Sequence, residues 1–418
     1  MPRKKLFLAL VAELAVTFAA FTMLAPTLAV GQEQVLQIFN GTDGANSFSG
    51  LVFDPAGNLY GTTQQGGNTG YGTVFKLTRG SNGTWTETVL HNFHGPNGLD
   101  RGGLEPSAAL VFDLAGNLYG TTLAGGVHGF GVVFKLSPGA NGNWTETVLH
   151  AFNGEDGGRP AAPLIFDKAG NLYGTSTGAP PRLGNVFELS PGSDGAWTEA
   201  VLYTFNGEDG GGSYGGLIFD TAGNLYGTSE TGGAYKYFGL VFKLTPGGNG
   251  KWRETVLHSF SSANGDGAYP ASGLLLDAAG NLFGTAYGGG LPNCEFGCGN
   301  VFELTPGAGT WSETILHEFS GGADGAAPLA AFAADAAGNL YSTTAFGGNP
   351  VCDAGCGVVF KLTAGANGKW SETVLNSFDG SGGATPWSNV ILDGAGNLYG
   401  TTSDGGNNGN GVVYEVTQ

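Results

Sequence analysis

The nine residues Asp113-Leu114-Ala115-Gly116-Asn117-Leu118-Tyr119-Gly120-Thr121 recur, with small changes, seven times in this chain of 418. The other copies open at Asp54, Asp167, Asp220, Asp277, Asp335 and Asp393, in steps of 59, 54, 53, 57, 58 and 58 residues. A period that long is a supersecondary unit repeated, and each unit must bury its apolar face against its neighbours. The chain is therefore expected to form one large closed domain, although its length would accommodate two or three ordinary ones.

Each unit divides into four short β-type runs, named a to d here. In the second unit they are residues 110–112, 117–121, 132–136 and 144–150. Turn residues separate them. Asp-x-Ala-Gly-Asn lies between a and b, where the Asp accepts backbone N–H bonds and the Gly supplies positive φ. The 79 glycines recur at fixed offsets between apolar runs, which marks them as turn chemistry rather than disorder. Helical periodicity is missing beyond the N-terminus, so the fold class is all-β. A four-stranded antiparallel meander is a propeller blade. Run c occurs seven times, but run d follows only six of them. The missing copy stands at the other end, where residues 33–39 match residues 87–93. The expected fold is a seven-bladed β-propeller over residues 32–418, closed by strand 33–39 pairing with strand 411–416. Closure removes exposed sheet edges.

The succession D-x-A-G-N-L-Y-G-T, G-V-V-F-K-L and W-x-E-T-V-L-H-x-F resembles the GloVer tandem repeat of exported bacterial proteins, over nearly all of residues 33–418. Gly-Asn-Leu-Tyr after an Asp turn is more loosely similar to NHL-type propeller repeats. The first resemblance implies placement outside the cytoplasm and brings no established activity with it.

Residues 1–31 read as a secretory signal: Arg3, Lys4 and Lys5 precede a mostly apolar stretch, and small residues follow near Ala29 and Gly31. The apolar stretch is also long enough for an uncleaved anchor. Removing these residues takes the formal net charge from −18 to −20. Such an acidic surface repels phosphate backbones, so nucleic acid is not an expected partner. A secreted or cell-envelope monomer is expected, with no cofactor.

In an antiparallel blade the a–b and c–d turns share one face, and the b–c and d–a loops share the other. The first set hardly varies among the units; the second varies, and rigid scaffolds carry function on varied loops. Residues present once per blade serve the blade. This covers the turn Asp, the run-d Glu (Glu87, Glu146, Glu199, Glu254, Glu313, Glu372), His91, His150, His258 and His317, and the repeated Trp. Catalysis needs carboxylates in different environments, and these have equivalent ones. The candidate ligand-binding residues are those that break the repeat: His94, Arg101, His128, Arg159, Arg182, Tyr214, Tyr235, Tyr237, Phe238, Tyr269 and Trp387. Aromatic side chains with a few Arg or His on a Gly-rich face suit a glycan, a peptide or a partner protein. An alternative is an enzyme acting on a polysaccharide or lactone; another is a purely structural envelope protein. No metal site is expected, apart from weak Ca2+ collection by d–a loop acids such as Asp156 and Asp209. The four cysteines form two C-x-x-x-C pairs, Cys294 with Cys298 and Cys352 with Cys356, in the b–c loops of units five and six. One disulfide within each loop is the first reading in an exported protein. Spacing leaves three connectivities open, and four thiolates could instead hold zinc.

Overall fold

A computed structural model describes residues 31–95, 102–180 and 182–418. The expected signal segment therefore lies outside the described residues, except for Gly31. The chain forms seven four-stranded antiparallel sheets. In blade 2 the strands are Val111–Phe112, Leu118–Thr122, Val132–Pro138 and Trp144–Ala151, in the order a to d. The seventh sheet takes its outermost strand from the other end of the chain. Gln32–Ile38 runs antiparallel to Val412–Thr417, with Gln34 opposite Glu415.

The repeated nine residues explain the inner half of each blade. Asp113 Oδ1 accepts the N–H groups of Ala115 (2.9 Å) and Asn117 (2.8 Å). Its Oδ2 accepts from Asn117 Nδ2 (2.6 Å) and from the Tyr119 hydroxyl (3.0 Å). One carboxylate thus ties off the turn and anchors the next strand. Burial alone would raise the Asp113 pKa; these hydrogen bonds outweigh it and hold the carboxyl below its ordinary value. Glycine follows Tyr in strand b because strand c lays an aromatic ring across it. A Cβ on Gly174 would come within 2.5 Å of Phe187 Cζ, and one on Gly120 within 2.6 Å of Phe134 Cζ.

Threonine ends the motif for a different reason. The Thr121 hydroxyl donates to the Ala162 carbonyl of the next blade, and Thr62, Thr175, Thr228, Thr285 and Thr343 do the same in theirs. Thr401 of blade 7 completes the circle by donating to the Ser49 carbonyl of blade 1 at 2.8 Å. Farther out, an aromatic pair joins each blade to the next. Phe93 meets Phe134 edge to face at 5.2 Å, and across the closing junction Phe39 meets Phe75 at 5.2 Å. The core is accordingly seven apolar clusters, each set between two neighbouring blades.

Two predictions follow from this packing. Gly174→Ala must push Phe187 out of place, and overpacking of that kind costs about 1–3 kcal/mol, read as a lower midpoint in denaturant at unchanged m-value. Deleting residues 32–40 removes the buried Leu36 and Phe39. Loss of one buried Phe side chain alone costs about 3–5 kcal/mol. The truncated protein should melt earlier and over a broader range, and an unchanged melting curve would show that the terminal strand carries no part of the closure.

Candidate functional site

The innermost strands surround a central cavity of about 740 Å³ that opens on the b–c/d–a face. Its wall is made of equivalent positions. Immediately before the buried residue that opens strand a stand Gly50, Ala109, Pro163, Gly216, Gly273, Ala331 and Asn389, all of which line the cavity. Gly or Ala at five of these seven positions leaves the space open. Three residues before that same buried residue stand Phe48, Ser107, Ala161, Tyr214, Ala271, Leu329 and Trp387, and these line it as well. The first residues after strand b add Gln64, Leu123, Thr177, Glu230 and Tyr287, and Phe346 joins them from blade 6.

The ring is seven-fold in backbone but not in chemistry. Phe346, Trp387 and Phe48 come from consecutive blades and form an aromatic arc. Trp387 is held edge to face on both sides, 5.7 Å from Phe48 and 6.5 Å from Phe346. Arg159, Tyr214, Glu230 and Tyr287, from blades 3 to 5, supply the polar arc. The Tyr287 hydroxyl donates to Glu230 Oε1 at 2.7 Å. Burial raises the Glu230 pKa, against the pull of that hydrogen bond. Tyr214 is also raised, first by burial and then by the negative charge of Glu230, with Arg159 opposing. Tyr287 is stacked on Tyr269, centroids 5.4 Å apart.

The loops around this mouth are pinned to one another. Ala45 bridges Gln65, Gly211 bridges Thr231, Ala326 bridges Phe346 and Ala384 bridges Asp404; short two-stranded ladders do the same in blades 2 and 5. Five residues before the buried opener of strand a, every blade turns through the left-handed region. Arg159 (φ 54°) and Tyr269 (φ 58°) occupy this turn with full side chains. Disulfides Cys294–Cys298 and Cys352–Cys356 close the b–c loops of blades 5 and 6, so all four sulfurs are taken. The first packs on the d–a loop of its own blade: a Cβ on Gly321 would lie 2.7 Å from Cys294 Sγ.

A profile for the Gloeobacter/Verrucomicrobia repeat matches residues 19–200 and 178–414. The chain belongs to the Gloeobacter/Verrucomicrobia repeat family. No match is found among curated proteins. In this family member the sequence-based candidates separate into groups. Arg159, Tyr214 and Trp387 line the cavity, and Tyr269 supports Tyr287 from behind. Tyr235, Tyr237, His128 and Arg182 stand exposed on b–c loops outside it. His94 is exposed in its d–a loop, 6.4 Å from His91. Phe238 is half-buried and packs on the cluster between blades 4 and 5. Arg101 lies outside the described residues. Phe48, Glu230, Tyr287 and Phe346 are wall residues that the sequence reading missed. Counting back from strand a and forward from strand b would have found them, because each departs from its six equivalents.

The other polar clusters of this repeat protein lie at the outer seams. Glu87, Glu199, Glu254, Glu313 and Glu372 each face an Asp from the preceding blade's d–a loop. His150 Nε2 is 3.2 Å from Asp156 Oδ2 and shares its seam with Glu199; His258 Nε2 is 3.4 Å from Asp266 and 3.5 Å from Glu313. In each of these two seams the three side chains offer ligand atoms within 4.8 Å of one another. Asp156 and Asp209 also cap their own turns, accepting from the N–H groups of Asn153 and Asn206. Burial, with the nearby Asp charge adding to it, pushes the Glu87 carboxyl up to about 8 and those of Glu199, Glu254 and Glu372 up to about 7. A carboxyl raised on folding adds stability that is complete below its ordinary pKa of 4.5 and is lost as the pH rises through 7 to 8. Asp54, Asp113, Asp167, Asp220, Asp335 and Asp393, lowered on folding, act oppositely and lose their contribution below pH 3.8. The melting temperature should therefore peak near pH 4, between the ordinary values of 3.8 and 4.5, and fall as the pH rises toward 8. Glu87→Gln should flatten the alkaline limb of thermal melts recorded across that range.

Proposed function

We propose that this protein is a non-catalytic binding propeller that works outside the cytoplasm and takes its ligand in the mouth of the central cavity. The observation that carries this reading is where the repeat breaks. Positions that hold the blades together keep their residue type around the ring, whereas the cavity wall departs from it and gathers aromatic residues on one side and Arg159, Tyr214, Glu230 and Tyr287 on the other. A concave, largely apolar site with a few convergent polar groups is the form that small-ligand sites take, and its volume is within their usual range of about 300–1,000 Å³. The two disulfides and the basic, then apolar, start of the sequence support an oxidising location.

Binding without turnover is favoured by the carboxylate inventory. Glycoside hydrolysis takes a pair of carboxyl groups. Among the described lining residues Glu230 alone carries one. The test is a screen of the purified protein against glycan and peptide arrays, followed by mass analysis of the recovered ligand. A specific ligand should be recovered unchanged, and Tyr214→Ala should weaken its binding about tenfold with melting preserved. Binding indifferent to Tyr214→Ala would remove the cavity from consideration, and a chemically altered ligand would establish an enzyme.

A further inference from the structure

Resting on that reading, we propose that the ligand is a terminal sugar ring of a neutral glycan, with its C–H face on the Trp387 arc and its hydroxyls toward Glu230, Tyr287 and Arg159. A pyranose has two kinds of surface. Its axial hydrogens make an apolar patch the size of an aromatic ring, and its rim is a belt of hydroxyls that both donate and accept. The cavity offers the complement of each on opposite sides. Phe346, Trp387 and Phe48 present ring surface from three consecutive blades, and the central indole is fixed by edge-to-face contact with both neighbours. A ring that is already ordered loses little side-chain freedom when it is covered, so its contact area converts more fully into affinity.

The opposite arc holds both kinds of hydrogen-bonding partner. Arg159 only donates, and the carboxyl of Glu230 accepts. One of its oxygens already accepts from Tyr287, which fixes the carboxyl's orientation. Gln64, Thr177, Asn389 and Ser388 line the same space and can serve further hydroxyls.

Other ligand classes fit less well. Among the described lining residues Arg159 and Glu230 are the charged ones, one of each sign. A polyanion or polycation would leave most of its charge unpaired there, and the protein's formal net charge of −18 repels anions further. One recurring way to capture an extended peptide is to add it as a strand to a free sheet edge. Here the edges that face the cavity are strands of two residues, such as Val111–Phe112 and Ile165–Phe166, too short to template one.

The test measures binding of neutral oligosaccharides, acidic oligosaccharides and unmodified peptides to the purified protein by calorimetry. Neutral oligosaccharides should bind. Trp387→Ala should weaken them tenfold or more, Trp387→Phe less, and Leu114→Ser, on the opposite face, not at all. Where Trp387→Ala alters melting, Glu230→Gln and Phe346→Leu report on the two arcs separately, and each should weaken the same sugars. Peptides or acidic sugars that bind and are lost in Trp387→Ala would keep the cavity as the site and overturn the neutral-glycan assignment. Binding of any class that is indifferent to every one of these wall variants, or no binding in any class, would overturn both this assignment and the cavity reading.

Discussion

Everything in this molecule depends on the junction between one blade and the next. A single four-stranded blade has two apolar faces and no core of its own; its Leu, Val and Phe residues are buried only because a neighbour stands on each side. The junction is specified at three radii. Near the axis a threonine hydroxyl crosses to a carbonyl of the next blade. At mid-radius phenylalanine edges meet, and Tyr119 sits against Phe166 and Trp197. At the rim a glutamate faces the preceding blade. Because seven copies of the junction must close a circle, a change at one is felt by a ring that cannot open elsewhere without losing another. The split seventh blade is where this constraint is most exposed. There Thr401 reaches Ser49 of blade 1 and Glu33 accepts from Asn376 of blade 6 (2.8 Å), each joining residues from opposite ends of the chain, while Phe39 of the N-terminal strand meets Phe75 of blade 1.

That economy explains what could be read from the sequence. The Asp-x-Ala-Gly-Asn turn, the glycine beneath the phenylalanine and the terminal threonine each have a physical job that repeats, so the chain carries its own internal alignment. Blade number, strand order and the partition into an invariant and a varied face all follow from it. The site was partly legible for the same reason. Tyr214, Trp387 and Arg159 stand out as departures from the repeat. Glu230 and Phe346 did not, because attention to residue type alone passes over a single Glu after a strand or one Phe among 27. Position relative to the strand decides instead. Tyr235 and Tyr237 are also aromatic and non-repeating, but they stand farther along the b–c loop of blade 4, beyond the positions that line the cavity, where they are exposed.

The outer seams show why many titratable residues together need not make a catalytic site. Glu199 lies beside Asp156, Glu254 beside Asp209 and Glu372 beside Asp324, each pair repeating one geometry. A half-buried carboxyl next to a like charge takes up a proton more readily than a free one. His150 and His258 lie near enough to Asp156 and Asp266 to offset part of that repulsion, and Tyr203 donates to Asp209 in one of the seams that lack a histidine. The effect is to couple blade cohesion to pH, a property of the scaffold and not of any one site.

The two disulfides break the symmetry in a direction that bears on the cavity. They occur only in blades 5 and 6. The b–c loops they close begin at Tyr287 and just before Phe346, the aromatic residues that those blades add to the wall. A bridge spanning so few residues removes little chain entropy, less than the ~3 kcal/mol of a 15-residue loop. Its effect on geometry is larger, since it keeps the loop packed against Gly321 and holds the strand end that carries the wall residue. Affinity at any such mouth depends on how much order the site must acquire on binding. Stiffening the loops behind Tyr287 on the polar arc and Phe346 on the aromatic one, while Trp387 is wedged between two rings, leaves little order to be acquired at these residues.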